Sequence, residues 1–194
     1  GGLHNPVQAD ADGMIYQCAT PRLLKTLSTD QRNVLAAGDR VLFRPADNRE
    51  GIIERIERRR GVLCRTSRGR QHVMVANIDQ MLMVTSAAEP VLKPQLIDRL
   101  LITAEKSEIR PVICINKIDL VDPADLQPLI GVYGQMGYET LTLSATANSG
   151  TERLRQLIVG MRSVVVGQSG VGKSSLLNVI EPGLELRVST VSTD

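Results

Sequence analysis

Residues 167–174 read Gly-Gln-Ser-Gly-Val-Gly-Lys-Ser, a set of residue types whose chemistry points at phosphate. Gly167, Gly170 and Gly172 let backbone N–H groups curl around an anion where a Cβ would clash, with Gln168, Ser169 and Val171 between them. Lys173 supplies a mobile cation for β- and γ-phosphates, Ser174 offers a hydroxyl to Mg²⁺, and Ser175 is expected to contact the α-phosphate. Ser163-Val164-Val165-Val166 before the loop reads as a strand, and 172–180 as a helix whose N-terminal dipole adds to the field. A chance glycine-rich turn containing Lys-Ser is the competing account. With all eight positions matched between strand and helix, phosphate binding is the expectation.

A second set of residues reads the base. Asn116-Lys117-Ile118-Asp119 follows the apolar run Pro111-Val112-Ile113-Cys114-Ile115. An Asp119 carboxylate can accept from guanine N1–H and N2–H₂, whereas adenine offers neither donor, so the wrong base leaves the carboxylate unpaired. Asn116 can bridge guanine N7 and the phosphate loop, and the aliphatic stem of Lys117 can cover the ring. Ser144-Ala145 ends another strand, where a backbone N–H could meet guanine O6. Asp119 alone could be a turn residue before Asp122-Pro123. Three such elements at strand C-terminal ends, where open α/β sheets bind ligands, favour guanine.

The elements that must carry these residues fall into two modules, 1–75 and 76–194. From about 13 to 75, β-prone runs at 14–19, 40–43, 52–57 and 62–65 alternate with Gly/Asp turns, which predicts a small all-β barrel or sandwich. Alternation in the 52–57 run is imperfect and assigns no faces. Beyond 75, buried strands at 80–84, 111–115, 140–143 and 163–166 alternate with helices at 94–107, 123–136, 151–160 and 172–180. That rhythm predicts an α/β domain with a mostly parallel sheet.

The composition, 42% hydrophobic and 23% charged in 194 residues, is that of a globular protein with an aliphatic core, since aromatics are 2%. No apolar stretch approaches the roughly 18 residues of a membrane span. Gly1-Gly2-Leu3-His4 is no signal peptide, and the start without Met points to a processed, truncated or tagged terminus. Cys18, Cys64 and Cys114 are odd in number and far apart, which argues against disulfides or a Cys-based metal site and for a cytoplasmic location. Residues 1–75 hold 13 Lys/Arg against 8 Asp/Glu, net +5; residues 76–194 hold 10 against 13, net −3. A basic module is joined to a mildly acidic one, and its arginines are either a solvated face or a nucleic-acid contact.

In ordinary P-loop GTPases the phosphate loop precedes the base-reading motifs; here Asp119 and Ala145 precede Lys173. Together with the basic β-module and the Gln-Ser-Gly-Val-Gly-Lys-Ser-Ser loop, this order resembles the circularly permuted GTPases. It is most similar to the bacterial RsgA/YjeQ family, ribosome small-subunit-dependent GTPases. The resemblance implies an N-terminal OB-fold barrel, a permuted α/β P-loop GTPase domain and a C-terminal zinc-binding domain. It also implies use of GTP/GDP with Mg²⁺ and one Zn²⁺. The implied partners are the 30S ribosomal subunit and 16S rRNA, in late 30S maturation, with hydrolysis stimulated by the particle.

Departures from that pattern shape the expectations. Val188–Asp194 looks like the entry to switch I, and no Asp-x-x-Gly follows the phosphate loop. The match Asp10-Ala11-Asp12-Gly13 reads as a turn. No catalytic residue is assigned: it is expected beyond Asp194, as are the zinc ligands, in a chain truncated or disordered there. His4 and His72 read as surface or turn residues. This segment is expected to keep nucleotide affinity but hydrolyse GTP poorly. In the basic module, Arg55, Arg58, Arg59, Arg60, Arg65, Arg68 and Arg70 are the RNA-contact candidates. Stacking aromatics are scarce, which favours backbone and shape contacts with structured rRNA. The default assembly is a monomer. The alternatives are an RNA-binding assembly module with a regulatory, non-turning-over guanine-nucleotide site, and an ATP-using P-loop kinase, which Asp119 argues against.

Overall fold

Turn residues set the frame of the N-terminal unit. In the computed structural model, which describes residues 7–20, 35–67 and 69–181, strand β1 (Val7–Ala11) turns at Asp12-Gly13 into β2 (Met14–Ala19). The Gly13 N–H donates to Asp10 Oδ1 at 3.0 Å, so the Asp10–Gly13 tetrapeptide is a hairpin turn. Strands β3 (Val41–Ala46) and β4 (Glu50–Ile56) pair antiparallel, while β2 and β4 pair parallel, giving the order β1-β2-β4-β3. Strands β5 (Leu63–Ser67) and β6 (Arg70–Val75) form a separate hairpin. In β4, Gly51 and Ile53 face inward and Ile52 outward, which settles the faces that periodicity left open. Ala9, Cys18 and Ile53 form the core, flanked by Val7, Tyr16, Leu35, Val41 and Phe43.

His72 lies in β6 opposite Arg65 and is half-buried, so of the two expected settings the turn does not apply. Arg59 also differs from its sequence-based role. Its guanidinium holds Asp39 through both carboxylate oxygens, Nε to Oδ1 at 2.7 Å and Nη2 to Oδ2 at 2.8 Å. The Asp39 side chain is 2% exposed and also accepts from the Ala36 N–H at 2.8 Å. This fork geometry is the strong form of ion pair, and it directs Arg59 inward.

Among the described residues, the unit beginning at Ile78 is built on four parallel strands: β7 (Gln80–Ser86), β8 (Arg110–Asn116), β9 (Glu139–Thr142) and β10 (Ser163–Val166). Their order is β10-β7-β8-β9. Helices α1 (Pro94–Lys106), α2 (Pro123–Gln135), α3 (Thr151–Ile158) and α4 (Lys173–Ile180) alternate with them. Proline at the first turn starts α1 and α2, where a missing N–H is harmless, and Asp122 caps α2 through the Ala124 N–H at 2.9 Å. Pro128 and Gly131 lie inside α2 without ending it.

Strand alternation divides the core. Leu82, Val84, Val112, Cys114, Leu141 and Leu143 pack with Leu154 of α3 and Leu176 and Ile180 of α4. Met81, Met83, Ile113 and Ile115 point the other way and are equally buried, as are Ile97, Leu100, Leu101 and Ala104 of α1. Burial pushes the Cys114 thiol up to about 12, so it stays a neutral core side chain. Gln80, fully buried, donates to the Leu157 carbonyl at 3.0 Å and Ser163 Oγ at 2.8 Å, tying α3 and β10 to β7.

Asp39→Ala leaves a mostly buried guanidinium facing an emptied carboxylate position. The expected loss is about 3 kcal/mol from the N-terminal unit, read from its urea transition by circular dichroism.

Candidate functional site

All four strands of the parallel sheet end on one edge, and the chemistry-bearing residues stand there. In register, Ser86 ends β7 opposite Asn116, which ends β8. Ser144 and Ala145 follow just past β9, and Gly167 follows β10. The chain runs β7 to β8 to β9 on one side, then returns through α3 to β10 on the far side of β7. The strand order therefore reverses between β10 and β7, the kind of switch point at which open α/β sheets open a crevice.

The phosphate loop, 167–172, leaves β10 and enters α4 at Lys173. Gly167 has φ +151° and a Cβ there would lie 2.1 Å from the Val84 carbonyl oxygen. Gly172 has φ +93° and a Cβ would lie 2.3 Å from Asn116 Nδ2. Both positions thus require glycine for space as well as conformation. Lys173 is 6% exposed, and its ammonium donates to the carbonyls of Gly167 at 2.8 Å and Gln168 at 2.6 Å. Burial holds its pKa below the ordinary lysine value. Ser174 and Ser175 are exposed in the first turn of α4, Gln168 and Val171 are half-buried and buried, and Ser169 and Gly170 are open to solvent.

Asn116 joins this loop to the others. Its side chain, 2% exposed, donates from Nδ2 to the Val171 carbonyl at 2.9 Å and accepts at Oδ1 from the Ala145 N–H at 3.3 Å. Lys117, in the left-handed region at φ +64°, donates to the Gly170 carbonyl at 2.7 Å and the Glu89 carbonyl at 2.6 Å. Asp119 is exposed in the short helical turn Ile118–Leu120, and its Oδ1 accepts from the Ser144 hydroxyl at 2.5 Å. Ser144 Oγ in turn accepts from the Ala147 N–H at 2.9 Å.

Asn116, Lys117, Asp119, Ser144, Ala145 and 167–175 thus stand together at one edge. The arrangement offers backbone N–H groups, a cation and a helix N-terminus to an anion, and a carboxylate held at the neighbouring strand ends. Sequence reasoning missed the Ser144 hydroxyl that orients Asp119, and the loop after β7, although that loop stands at the same edge as the rest. It also missed Arg155 of α3, which donates to the Val179 and Ile180 carbonyls at 3.1 and 3.2 Å and closes the C-terminus of α4.

Of the arginine candidates, Arg55, Arg58, Arg60 and Arg65 are exposed, and Arg59 is engaged with Asp39. Arg68, the Arg70 side chain, His4 and the stretch read as switch I lie outside the described residues. Among the described residues, no cluster of three or more His, Cys, Asp or Glu could hold a metal ion.

A parallel sheet whose last described strand carries the phosphate loop, after the strands ending in Asn116 and Thr142, defines an α/β domain of the circularly permuted GTPase class. A family model described as RsgA GTPase matches residues 56–194. The chain belongs to that family.

Relatives and solved structures agree. The chain is 39% identical over 190 residues to a small ribosomal subunit biogenesis GTPase RsgA of Ectopseudomonas mendocina, covering 96% of this chain and 53% of the relative. It is 36% identical over 186 residues to the protein of the same name from Geobacillus, covering 94% and 60%. The crystal structure of YjeQ from Thermotoga maritima superposes with TM-score 0.76 at 33% identity, over 95% of this chain and 64% of that one. YloQ, a circularly permuted GTPase, gives TM-score 0.66 at 28% identity, over 94% and 62%. The chain thus spans about half to three fifths of the length of these curated relatives.

Gly172→Ala sets a Cβ against Asn116 Nδ2 at a φ that alanine resists. The expected result is a loss of about 1–3 kcal/mol, measured as the shift in the urea midpoint of the α/β unit.

Proposed function

We propose that this chain carries the guanine-nucleotide site of a GTPase acting on the small ribosomal subunit late in its maturation, with hydrolysis stimulated by that particle. The observation that carries the reading is the Asn116 bridge, which ties the Asn-Lys-x-Asp segment and the Ser144-Ala145 segment to the phosphate loop through one side chain. Base and phosphate readers are thereby held as one surface. Asp119, oriented by Ser144, accepts from guanine N1–H and N2–H₂; the Ala145 N–H meets O6; the Lys117 stem covers the ring.

The loop N–H groups, Lys173 and Ser175 take the phosphates. Ser174, exposed beside Lys173 in the first turn of α4, fits a Mg²⁺ held jointly with phosphate oxygens, as hard oxygen donors suit that ion. The metal would neutralise charge developing on the transferred phosphoryl group. Relatives of this chain are named small ribosomal subunit biogenesis GTPases, which supports the subunit as partner.

The N-terminal module, 1–75, is read as an OB-fold that contacts 16S rRNA, and 76–194 as the permuted GTPase domain. The six short strands among the described residues of the first module and its exposed Arg55, Arg58, Arg60 and Arg65 support that assignment. Arg59, bound to Asp39, serves the fold instead. Zinc belongs to the further domain the resemblance implies. Among the described residues no helix is long and apolar enough to cross a membrane. The ribosomal-subunit names of the relatives support a cytoplasmic location, and a monomer is the default assembly.

Replacing Asp119 by Asn removes a charged acceptor of two hydrogen bonds and places an N–H against the guanine donors. GDP affinity is expected to fall by roughly 10²-fold or more, each charge-assisted bond being worth about 1.5–3 kcal/mol; competition with ADP in the parent protein should leave GDP bound. Steady-state GTP hydrolysis by the full-length protein is expected to rise when purified small subunits are added. A rate that stays near zero with and without subunits would instead favour an RNA-binding assembly module whose nucleotide site is regulatory.

A further inference from the structure

The loop that follows β7, Ser86-Ala87-Ala88-Glu89-Pro90, lies beside the switch point between β10 and β7, yet none of its residues belongs to the nucleotide motifs. Its geometry is tightly specified. Ser86 is fully buried; its hydroxyl donates to the Glu89 carbonyl at 2.9 Å and accepts from the Ala88 N–H at 3.2 Å. The Ala87 N–H donates to the Asn116 carbonyl at 2.8 Å, which anchors the loop one residue ahead of Lys117. Pro90 seats the far end against the phosphate loop, its Cδ 3.7 Å from where a Gly170 Cβ would stand.

The product of this folding is one carbonyl. The Glu89 oxygen accepts from Ser86 on one side and from the Lys117 ammonium on the other, at 2.9 and 2.6 Å. Lysine is a flexible four-carbon stem with many rotamers open to it when free. A single acceptor, the Gly170 carbonyl, would leave the ammonium able to swing about it; two acceptors on different loops hold the tip of the stem from two directions. Fixing a side chain before the ligand arrives removes an ordering cost from binding.

Resting on the guanine-nucleotide reading above, we propose that the 86–90 loop is a strap that pre-sets Lys117 for the purine, and that Ser86 is its positioning residue. Ser86 touches neither base nor phosphate. It acts through the Glu89 carbonyl on Lys117, and so sets nucleotide affinity from the neighbouring strand.

A double-mutant cycle on the full chain tests this, with a fluorescent GDP analogue as probe and circular dichroism to confirm folding. Ser86→Ala is expected to weaken GDP binding roughly 5-fold or more, while Ser86→Thr, which keeps the hydroxyl, restores it. In a Lys117→Ala background, Ser86→Ala should have no further effect. Independent, additive losses would overturn the strap, because a merely structural serine weakens binding whether or not Lys117 is present. Unchanged affinity in Ser86→Ala overturns it as well. If Ser86→Ala does not fold, Ser86→Cys, close in volume and a weak donor, runs the same cycle. Failure of the parent chain to bind GDP would overturn the nucleotide reading and the strap together; GDP binding with an additive cycle removes the strap alone.

Discussion

One buried amide holds the C-terminal edge of the parallel sheet together. Asn116 donates to the loop after β10, accepts from the segment after β9, and offers its own carbonyl to the loop after β7. No other short side chain carries a donor and an acceptor on one rigid plane, so an aspartate here would face the Val171 carbonyl with another oxygen. Burial sharpens the constraint, since an unpaired polar atom at this depth loses its water without replacement. The bareness of Gly172 is the counterpart of that amide: the space a Cβ would fill is where Nδ2 stands.

The sheet makes such a junction affordable in chain terms. Parallel strands place every C-terminal end on the same side, so residues far apart in sequence meet without long loops. Strand adjacency does not depend on where the chain begins, which is why the 116–119 and Ser144-Ala145 segments can precede the 167–174 loop and still stand beside it. Gln80 reinforces the outermost pair by joining α3 and β10 to β7 with a single side chain.

The α/β unit was largely legible because its signals are redundant. Strands β7 and β8 carry the continuous apolar runs 81–84 and 111–115, and the helices after them begin at proline or aspartate-capped proline turns. Pro128 and Gly131 weaken the helical pattern of α2, yet Leu126 and Tyr133 anchor it in the core. The N-terminal unit was less readable: β1, Val-Gln-Ala-Asp-Ala, and β6, which opens Arg-Gln-His, are too polar to announce themselves, and pairing with a neighbour makes them strands. Within the site, residue types showed through but backbone acceptors did not. The Glu89 and Gly170 carbonyls carry no mark in sequence, and neither does the inward turn of Arg59 within a run of three arginines.

Lys173 has a consequence of a different kind. Its ammonium spends two of its three N–H donors on the Gly167 and Gln168 carbonyls, so an arriving anion meets one open donor and must exchange bonds to engage the others. A lone phosphate brings little to that exchange, whereas a molecule that also engages the adjoining strand ends brings a great deal. On the nucleotide reading proposed above, the self-bonded lysine favours a ligand that reaches the adjoining strand ends over a lone phosphate.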